Sequence, residues 1–491
     1  MIDPAEEFVL ALKALALGKA NPTEEQKVAL RAAYPHSSEP YPELAFKMMV
    51  DRGVWSEHED LLLLEAGLPR SWSAEALAEA AELTPGHPTG LLPMDRDEWV
   101  TGPVLALDDE GTVEVDDALA VETLPDGGMV LHIFISDPAS YLKPGGALDR
   151  EARERGTTVY HPTALFPMLP LDLSARVLSL DEGALRPALD FSITFDAAFR
   201  LRGRRVQPVM TRVSRRLTYV EADALLATGE ATEDGRALGL MVKAAEALFA
   251  DRISKGAFPL RRREYRVRVE QGQVQVRTIE PESASRKAVA EAMIAACGIA
   301  GDYFSANRVP ALFRRQDPPS QPIPWSAERS GDPVWVHRQL TTLRRVYGSV
   351  EAGRHFSLGS SAYCQITSPL RRYGDLAMQR QLLHHAATGT PYYSANEIWA
   401  LSQETEAASK GAASMESAAT SYWLHHLLHG LEGQRVPAVV LERRGREMLV
   451  QLEDTGLKAT ITGARPCQDG QVIQVKILKS KARSGLLILA Y

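Results

Sequence analysis

The sequence predicts an α+β multidomain protein: a helical, helix-turn-helix-like N-terminal segment, a central α/β body and a small C-terminal β-barrel. Three observations predict it. Apolar residues recur at helical spacing through the first 70 or so positions. Strand-like runs precede helix-like runs through the middle of the chain. The last 61 residues carry five short β-rich runs separated by turn signals. At 491 residues the chain is long enough for about three domains. We draw them at 1–85, 86–430 and 431–491.

Composition excludes several classes. The chain is 45% hydrophobic and 24% charged, ordinary for a globular protein. No apolar run approaches the roughly 20 residues a bilayer span needs, so no membrane partner is expected. The start, MIDPAEEF, lacks the basic and apolar regions of a secretion signal. Cys297, Cys364 and Cys467 are odd in number and far apart. Neither a disulfide framework nor a cysteine zinc site is expected, and a reducing, cytoplasmic setting is. Net charge is −8, which read globally argues against a nucleic-acid partner. The distribution says otherwise: 431–491 hold ten Lys/Arg and six Asp/Glu, a local +4 against −12 elsewhere.

Taken in order, Asn21-Pro22-Thr23-Glu24-Glu25 reads as a helix start within the Ala/Leu/Glu-rich first segment. Pro85, Gly86, Pro88, Gly90 and Pro93 read as a linker. Strand-like runs follow at 104–107, 118–121 and 129–135, the last two joined by the turn Pro125-Asp126-Gly127-Gly128. Helical patterns cover 284–305 and about 396–429, and a further helix opens near Pro369. The terminal runs at 436–441, 448–452, 457–461, 471–478 and 486–490, interleaved with basic residues, match an OB-type barrel.

Two segments carry chemistry. LALDDEGTVEVDDALAVE holds Asp108, Asp109, Glu110, Glu114, Asp116 and Asp117 within ten positions, directly before an apolar strand. Carboxylates crowded against a core repel one another unless cations intervene, and hard oxygen donors select Mg²⁺, with Mn²⁺ as a substitute, over zinc. The plain alternative is an acidic surface hairpin. ITSPLRRYGDLAMQRQLLHH reads as a helix start, with Ser368 as N-cap, Pro369 at the first position and Arg371 and Arg372 in the first turn. Cations there oppose the helix macrodipole by roughly 0.3–1 kcal/mol each. An anion held between arginines and free N–H groups resolves the conflict; two solvated arginines, or pairing with Asp375, is the plain alternative. A negative cluster that wants metal and a positive turn that wants phosphate together suggest phosphodiester chemistry.

With these motifs, and MLPLDLSARVLSL between them, the sequence resembles the ribonuclease II (RNB) family of 3′→5′ exoribonucleases over roughly 100–430, with the barrel where that family carries an RNA-binding one. The resemblance implies an RNB catalytic domain with active-site acids at Asp108, Glu114, Asp116 and Asp117, and a catalytic arginine at Arg371. Glu114 stands where the family usually has aspartate. Metal is implied at Asp108, Asp116 and Asp117. The resemblance further implies RNA contacts from Arg372, from the aromatic clamp residues Tyr160 and Phe258, and from Glu291 and Glu416, the last two on helices. Stacking on aromatics is worth about 1–3 kcal/mol per base and tolerates any base. The alternative for each aromatic is a core position.

The implied activity is hydrolytic degradation of single-stranded RNA, and of 3′-tailed duplex RNA, to 5′-mononucleotides and a short end product by a monomer. An RNA-binding protein that has lost the chemistry is the alternative, and a DNA-directed phosphodiesterase a remoter one. The family typically carries N-terminal cold-shock barrels; the helical first segment departs from that and would have its own role, such as binding or opening duplex RNA.

Overall fold

The computed structural model describes residues 4–88, 97–98, 101–229, 231–279, 283–321, 325–463 and 467–491. The linker expected at 85–93 lies outside them from residue 89. The chain divides into two compact units, Met1–Arg70 and Ser71–Tyr491.

The first unit is helical: Pro4–Ala16, Glu24–Ala33, Tyr41–Asp51 and the short Leu61–Ala66. Thr23 caps the second helix, its hydroxyl accepting from Gln26 N while the Gln26 side chain accepts from Thr23 N. Leu12, Leu15, Leu30, Leu44 and Met49 form its fully buried core. Residues at three- and four-residue spacing on the first and third helices supply an inward stripe each, Leu12, Leu15 and Ala16 on one and Leu44, Ala45, Met48 and Met49 on the other.

The second unit is built on a seven-stranded sheet. Its order is Asp97–Glu98, Leu201–Arg212, Leu185–Phe195, Met129–Ser136, Asp117–Thr123, Leu105–Asp108 and Arg215–Thr218. The four neighbour pairs among Leu105–Asp108, Asp117–Thr123, Met129–Ser136, Leu185–Phe195 and Leu201–Arg212 are antiparallel. The two outermost pairs are parallel. Strand alternation sends Leu131, Ile133, Ile135, Phe191 and Ile193 into the main core under the helices, and Ala118, Ala120, Phe134 and Ala188 to a second apolar layer. Helices Glu233–Ser254, Ala284–Asn307 and Tyr373–Thr388 contribute to the main core. The long helix Ala395–His429 carries Ile398 and Leu401 into that core and Leu428 into the barrel's.

The expected helix at Pro369 starts later, at Tyr373. Ser368 N donates to Asp375 Oδ2 and Leu370 N to Asp116 Oδ1, so these amides are held by carboxylates and residues 368–372 form a turn before the helix. Arg371 and Arg372 therefore precede the helix rather than occupying its first turn.

The C-terminal strands order as Lys458–Thr462, Glu447–Leu452, Arg435–Arg444, Val472–Lys481 and Leu486–Ala490, all antiparallel, with bulges at Val440/Glu442 and Ile477/Lys479. The outermost strands approach each other, so the sheet nearly closes into the five-stranded barrel of an OB-fold. Its core, including Val440, Val450, Val475 and Ile477, is separate from that of the sheet.

Candidate active site

Two neighbouring antiparallel strands place the acids. Asp108 ends Leu105–Asp108 and Asp117 opens Asp117–Thr123, so both stand at the same end of adjacent strands. The loop between them carries Glu114 and Asp116. All four carboxyls are driven toward the protonated form, first by burial. Asp117 lies well above the usual carboxylate range, with Asp108 and Asp116 adding repulsion. Glu114 is pushed up to about 7, with Asp116 adding to the effect of burial. Asp116 is pushed up to about 6 against the pull of Arg371 and the Leu370 N–H. Asp108 is raised by burial against Arg216. Glu114 Oε1 is buried and, among the described residues, has no hydrogen-bond partner.

The arginine arrives from the far side of the chain. Arg371 Nε donates to Asp116 Oδ2 at 3.2 Å and Nη2 to Ser368 Oγ at 2.8 Å. Its side chain keeps 40% exposure, so part of the guanidinium remains available. The Arg371 carbonyl accepts from Thr158 N at 2.9 Å and Thr157 Oγ1 at 3.0 Å. These bonds tie its turn to the segment that presents Tyr160. Tyr160 is 49% exposed, its backbone N–H donating to Glu416 Oε1 at 2.7 Å. Burial pushes its hydroxyl up, with Glu114, Asp116 and Glu416 adding to the effect against Arg371.

Asp108, Glu114, Asp116, Asp117, Arg371, Tyr160 and Glu416 thus share one locale. Three residues tied to RNA by resemblance are placed otherwise. Arg372 turns from the acids and pairs with Asp375 at 2.6 Å. Phe258 is 2% exposed and stacks on Trp335 and Phe356, which leaves little ring surface for a base. Glu291 is buried and takes two hydrogen bonds from Arg252, at 2.8 and 2.5 Å. Phe258 and Glu291 line a separate cavity of about 900 Å³.

Other residues at the centre carried no local signal in the sequence. Tyr219 opens helix Tyr219–Thr228, and burial, then Asp117 and Asp108, raise its hydroxyl. The Arg286 guanidinium lies 4.1 Å above its ring. Arg286 and Arg266, the latter at 2.8 Å, both pair with Asp109. Asp109, part of the acidic run, is therefore held by cations and kept below the usual range by them, burial acting the other way. Arg266 and Arg277, which pairs with Glu110 at 3.2 Å, come from a hairpin, Glu264–Ile279, that strand patterning did not mark.

The RNB domain family model matches residues 96–324 and 326–388. The chain belongs to the RNB family. It is 30% identical to an uncharacterized ribonuclease of Synechocystis sp. over 88% of its own length, and spans 65% of that relative. In fold it is similar to the Dss1 exoribonuclease active-site mutant of Candida glabrata, with a TM-score of 0.80 at 16% identity over 100% of this chain and 67% of that one. It is also similar to Mycoplasma genitalium RNase R in complex with ribose-methylated single-stranded RNA, with a TM-score of 0.76 at 19% identity over 88% of this chain and 77% of that one. Among the described residues no helix is long and apolar enough to cross a membrane.

Proposed function

We propose that this protein is a hydrolytic, divalent-metal-dependent 3′→5′ exoribonuclease that degrades single-stranded RNA to 5′-mononucleotides and a short end product. The observation that carries the reading is the convergence of Arg371 with four carboxylates whose proton affinity burial has raised. Family membership supports the reaction class.

The donor set fits a hard cation such as Mg²⁺ or Mn²⁺. It is all carboxylate oxygen, and Glu114 Oε1 is buried without a partner. Among the described residues no three His, Cys, Asp or Glu side chains stand close enough to hold an ion by themselves. Mg²⁺ is commonly carried by one or two carboxylates, with waters and substrate phosphate completing its shell. Asp108 and Asp117 would hold it, with Glu114 alongside. Asp116, a third metal ligand by resemblance, has both oxygens engaged by Leu370 and Arg371 and serves chiefly to aim the arginine. The ion supplies a polarised phosphoryl oxygen and an acidified water.

The protein's own groups do the rest. Arg371, oriented through Asp116 and Ser368, stabilises charge gathering on the scissile phosphoryl oxygens. Tyr160, set by Glu416, offers a stacking face to the terminal bases without choosing among them. Single-stranded RNA is the substrate this favours, and 3′-tailed duplex RNA follows wherever a free end can enter. The reading includes a monomer, and a reducing, cytoplasmic setting with which three buried, unbridged cysteines are consistent. The alternative is an RNA-binding protein without turnover. Mononucleotide release from labelled single-stranded RNA, with and without EDTA, separates the two. Chelator-sensitive release is expected; RNA binding without release would establish the alternative.

A further inference from the structure

The motif MLPLDLSARVLSL supplies none of the acids of the centre, nor its arginine, yet it grips the loop that carries two of them. Its middle, Ser174–Leu178, turns more widely than an α-helix, Ser179 N donating to Ser174 O at 2.8 Å, five residues back. The residues that follow reach the acidic loop. Val115 N donates to Ser179 Oγ at 3.0 Å, and Leu180 N donates to the Val115 carbonyl at 3.0 Å. Ser179 and Val115 are fully buried, and Val115 and Leu180 pack in the second apolar layer with Ala118 and Phe134. The sheet secures the turn from behind: Arg186, buried on Leu185–Phe195, donates Nη2 to the Arg176 carbonyl at 2.8 Å.

Val115 stands between Glu114 and Asp116. Its N–H belongs to the peptide shared with Glu114, and its carbonyl to the peptide shared with Asp116. Peptide units are planar, so the two bonds fix one plane beside each acid. The Asp116 carbonyl accepts in turn from Ser136 N at 2.8 Å. A buried N–H needs an acceptor, and at Val115 the Ser179 hydroxyl is the one provided. Without it the loop gains by shifting toward another partner, and a shift of about 1 Å at a reacting group costs about 10²-fold in rate.

We propose that Ser179 is a positioning residue of the acid centre. By holding Val115 it keeps Glu114 beside the metal and Asp116 aimed at Arg371, with Arg186 steadying the turn that presents it. Ser179 touches neither ion nor substrate in this role, so its removal acts through the two acids. The inference rests on the exoribonuclease reading for its effect on turnover, and on the Mg²⁺ or Mn²⁺ assignment for its effect on ion binding.

The test is Ser179→Ala in the full chain, which removes one oxygen. It is run beside Val209→Ala, a truncation in the same apolar layer whose strand makes no hydrogen bond to the acidic loop. Ser179→Ala is expected to lower kcat about 10–100-fold and to weaken Mn²⁺ binding, read by calorimetry without RNA, about tenfold. Affinity for single-stranded RNA without divalent ions should stay within a few-fold of the wild type. Val209→Ala should lower Tm at least as far while leaving kcat and Mn²⁺ affinity unchanged. Wild-type kcat and Mn²⁺ affinity in Ser179→Ala would overturn the proposal, as would equal losses in Val209→Ala or an RNA affinity that falls with kcat. Should Ser179→Ala fail to fold, Arg186→Met loosens the same turn and carries the test with the same outcomes. Ion binding is read without turnover, so a wild type that binds Mn²⁺ but releases no mononucleotide refutes the exoribonuclease reading and leaves Ser179 to be judged by ion binding alone.

Discussion

Arg371 Nε and Asp116 Oδ2 meet at 3.2 Å although 255 positions separate them. The contact joins the positive turn before helix Tyr373–Thr388 to the acidic loop between two sheet strands. Leu370 N donates to the other oxygen of the same carboxylate at 3.1 Å, so Asp116 clamps both the backbone and the guanidinium of that turn.

Loss of this clamp should abolish chemistry more than binding. Asp116→Asn keeps an acceptor for Leu370 N but loses the charge that pairs with Arg371. Turnover is expected to fall by at least about 10²-fold, the scale of removing one transition-state donor. RNA affinity should stay within a few-fold. Arg371→Lys should behave similarly, because an ammonium cannot reproduce the fork that reaches Asp116 and Ser368 together. Mononucleotide release beside a filter-binding assay checks both.

The raised carboxyls give a signed pH dependence. Glu114 near 7, Asp116 near 6 and Asp117, also well above the usual carboxylate range, hold protons in the fold that the unfolded chain releases near 4. Their contribution to stability is full below that unfolded value and, for Glu114 and Asp116, is lost as pH rises through about 6 to 7. Without divalent ions, the Tm contribution of this cluster should therefore fall between pH 5 and 8. Added Mg²⁺ or Mn²⁺ should raise Tm more at pH 8 than at pH 5, and Glu114→Gln should flatten the metal-free trend. Calorimetry at both pH values, with and without the ion, measures it.

Two aromatics should separate cleanly. Tyr160 is half exposed, so Tyr160→Ala is expected to weaken binding of a 3′ end by about 1–3 kcal/mol with little change in Tm. Phe258 is buried between Trp335 and Phe356, so Phe258→Ala is expected to cost about 3 kcal/mol of stability, on the scale of core aromatic truncations. Denaturation curves beside affinity measurements distinguish the two roles.

Gly156 couples the stacking residue to the arginine. It adopts φ +66°, its carbonyl accepts from Tyr373 N, and an added Cβ would run into that of Ala408 on the long helix. Gly156→Ala is expected to cost about 1–3 kcal/mol and to slow turnover about tenfold by shifting the 156–160 segment against Arg371. Unchanged kcat with a lowered Tm would show that the segment's position does not matter to the chemistry.

What could be read from the sequence was local. The strands at 118–121 and 129–135 and the helix at 284–305 appear within two residues as Asp117–Thr123, Met129–Ser136 and Ala284–Asn307, because alternation and helical spacing are properties of neighbours. The acids and the arginine pair stood out because crowded like charges are visible without a fold, although the helix turn in which the arginines were expected begins only at Tyr373. Direction and burial were not visible. Arg371 and Arg372 are adjacent, yet the turn sends one to Asp116 and the other to Asp375. The start of the helix moved because Asp116 and Asp375 bind the amides of Leu370 and Ser368. Phe258 lost its free surface to aromatics some 80 and 100 positions away. Tyr219, beside Asp108 and Asp117, sits in a segment with no motif, and only the sheet brings it there.

The most direct measurement is the shortening of a 5′-labelled single-stranded RNA by the full chain in Mg²⁺, run beside the Asp116→Asn variant. The account predicts stepwise shortening from the 3′ end by the wild type, stopped by EDTA, and a variant that binds the strand but leaves it intact. Comparable shortening by the variant, or none by the wild type with Mg²⁺ or Mn²⁺ present, would contradict it.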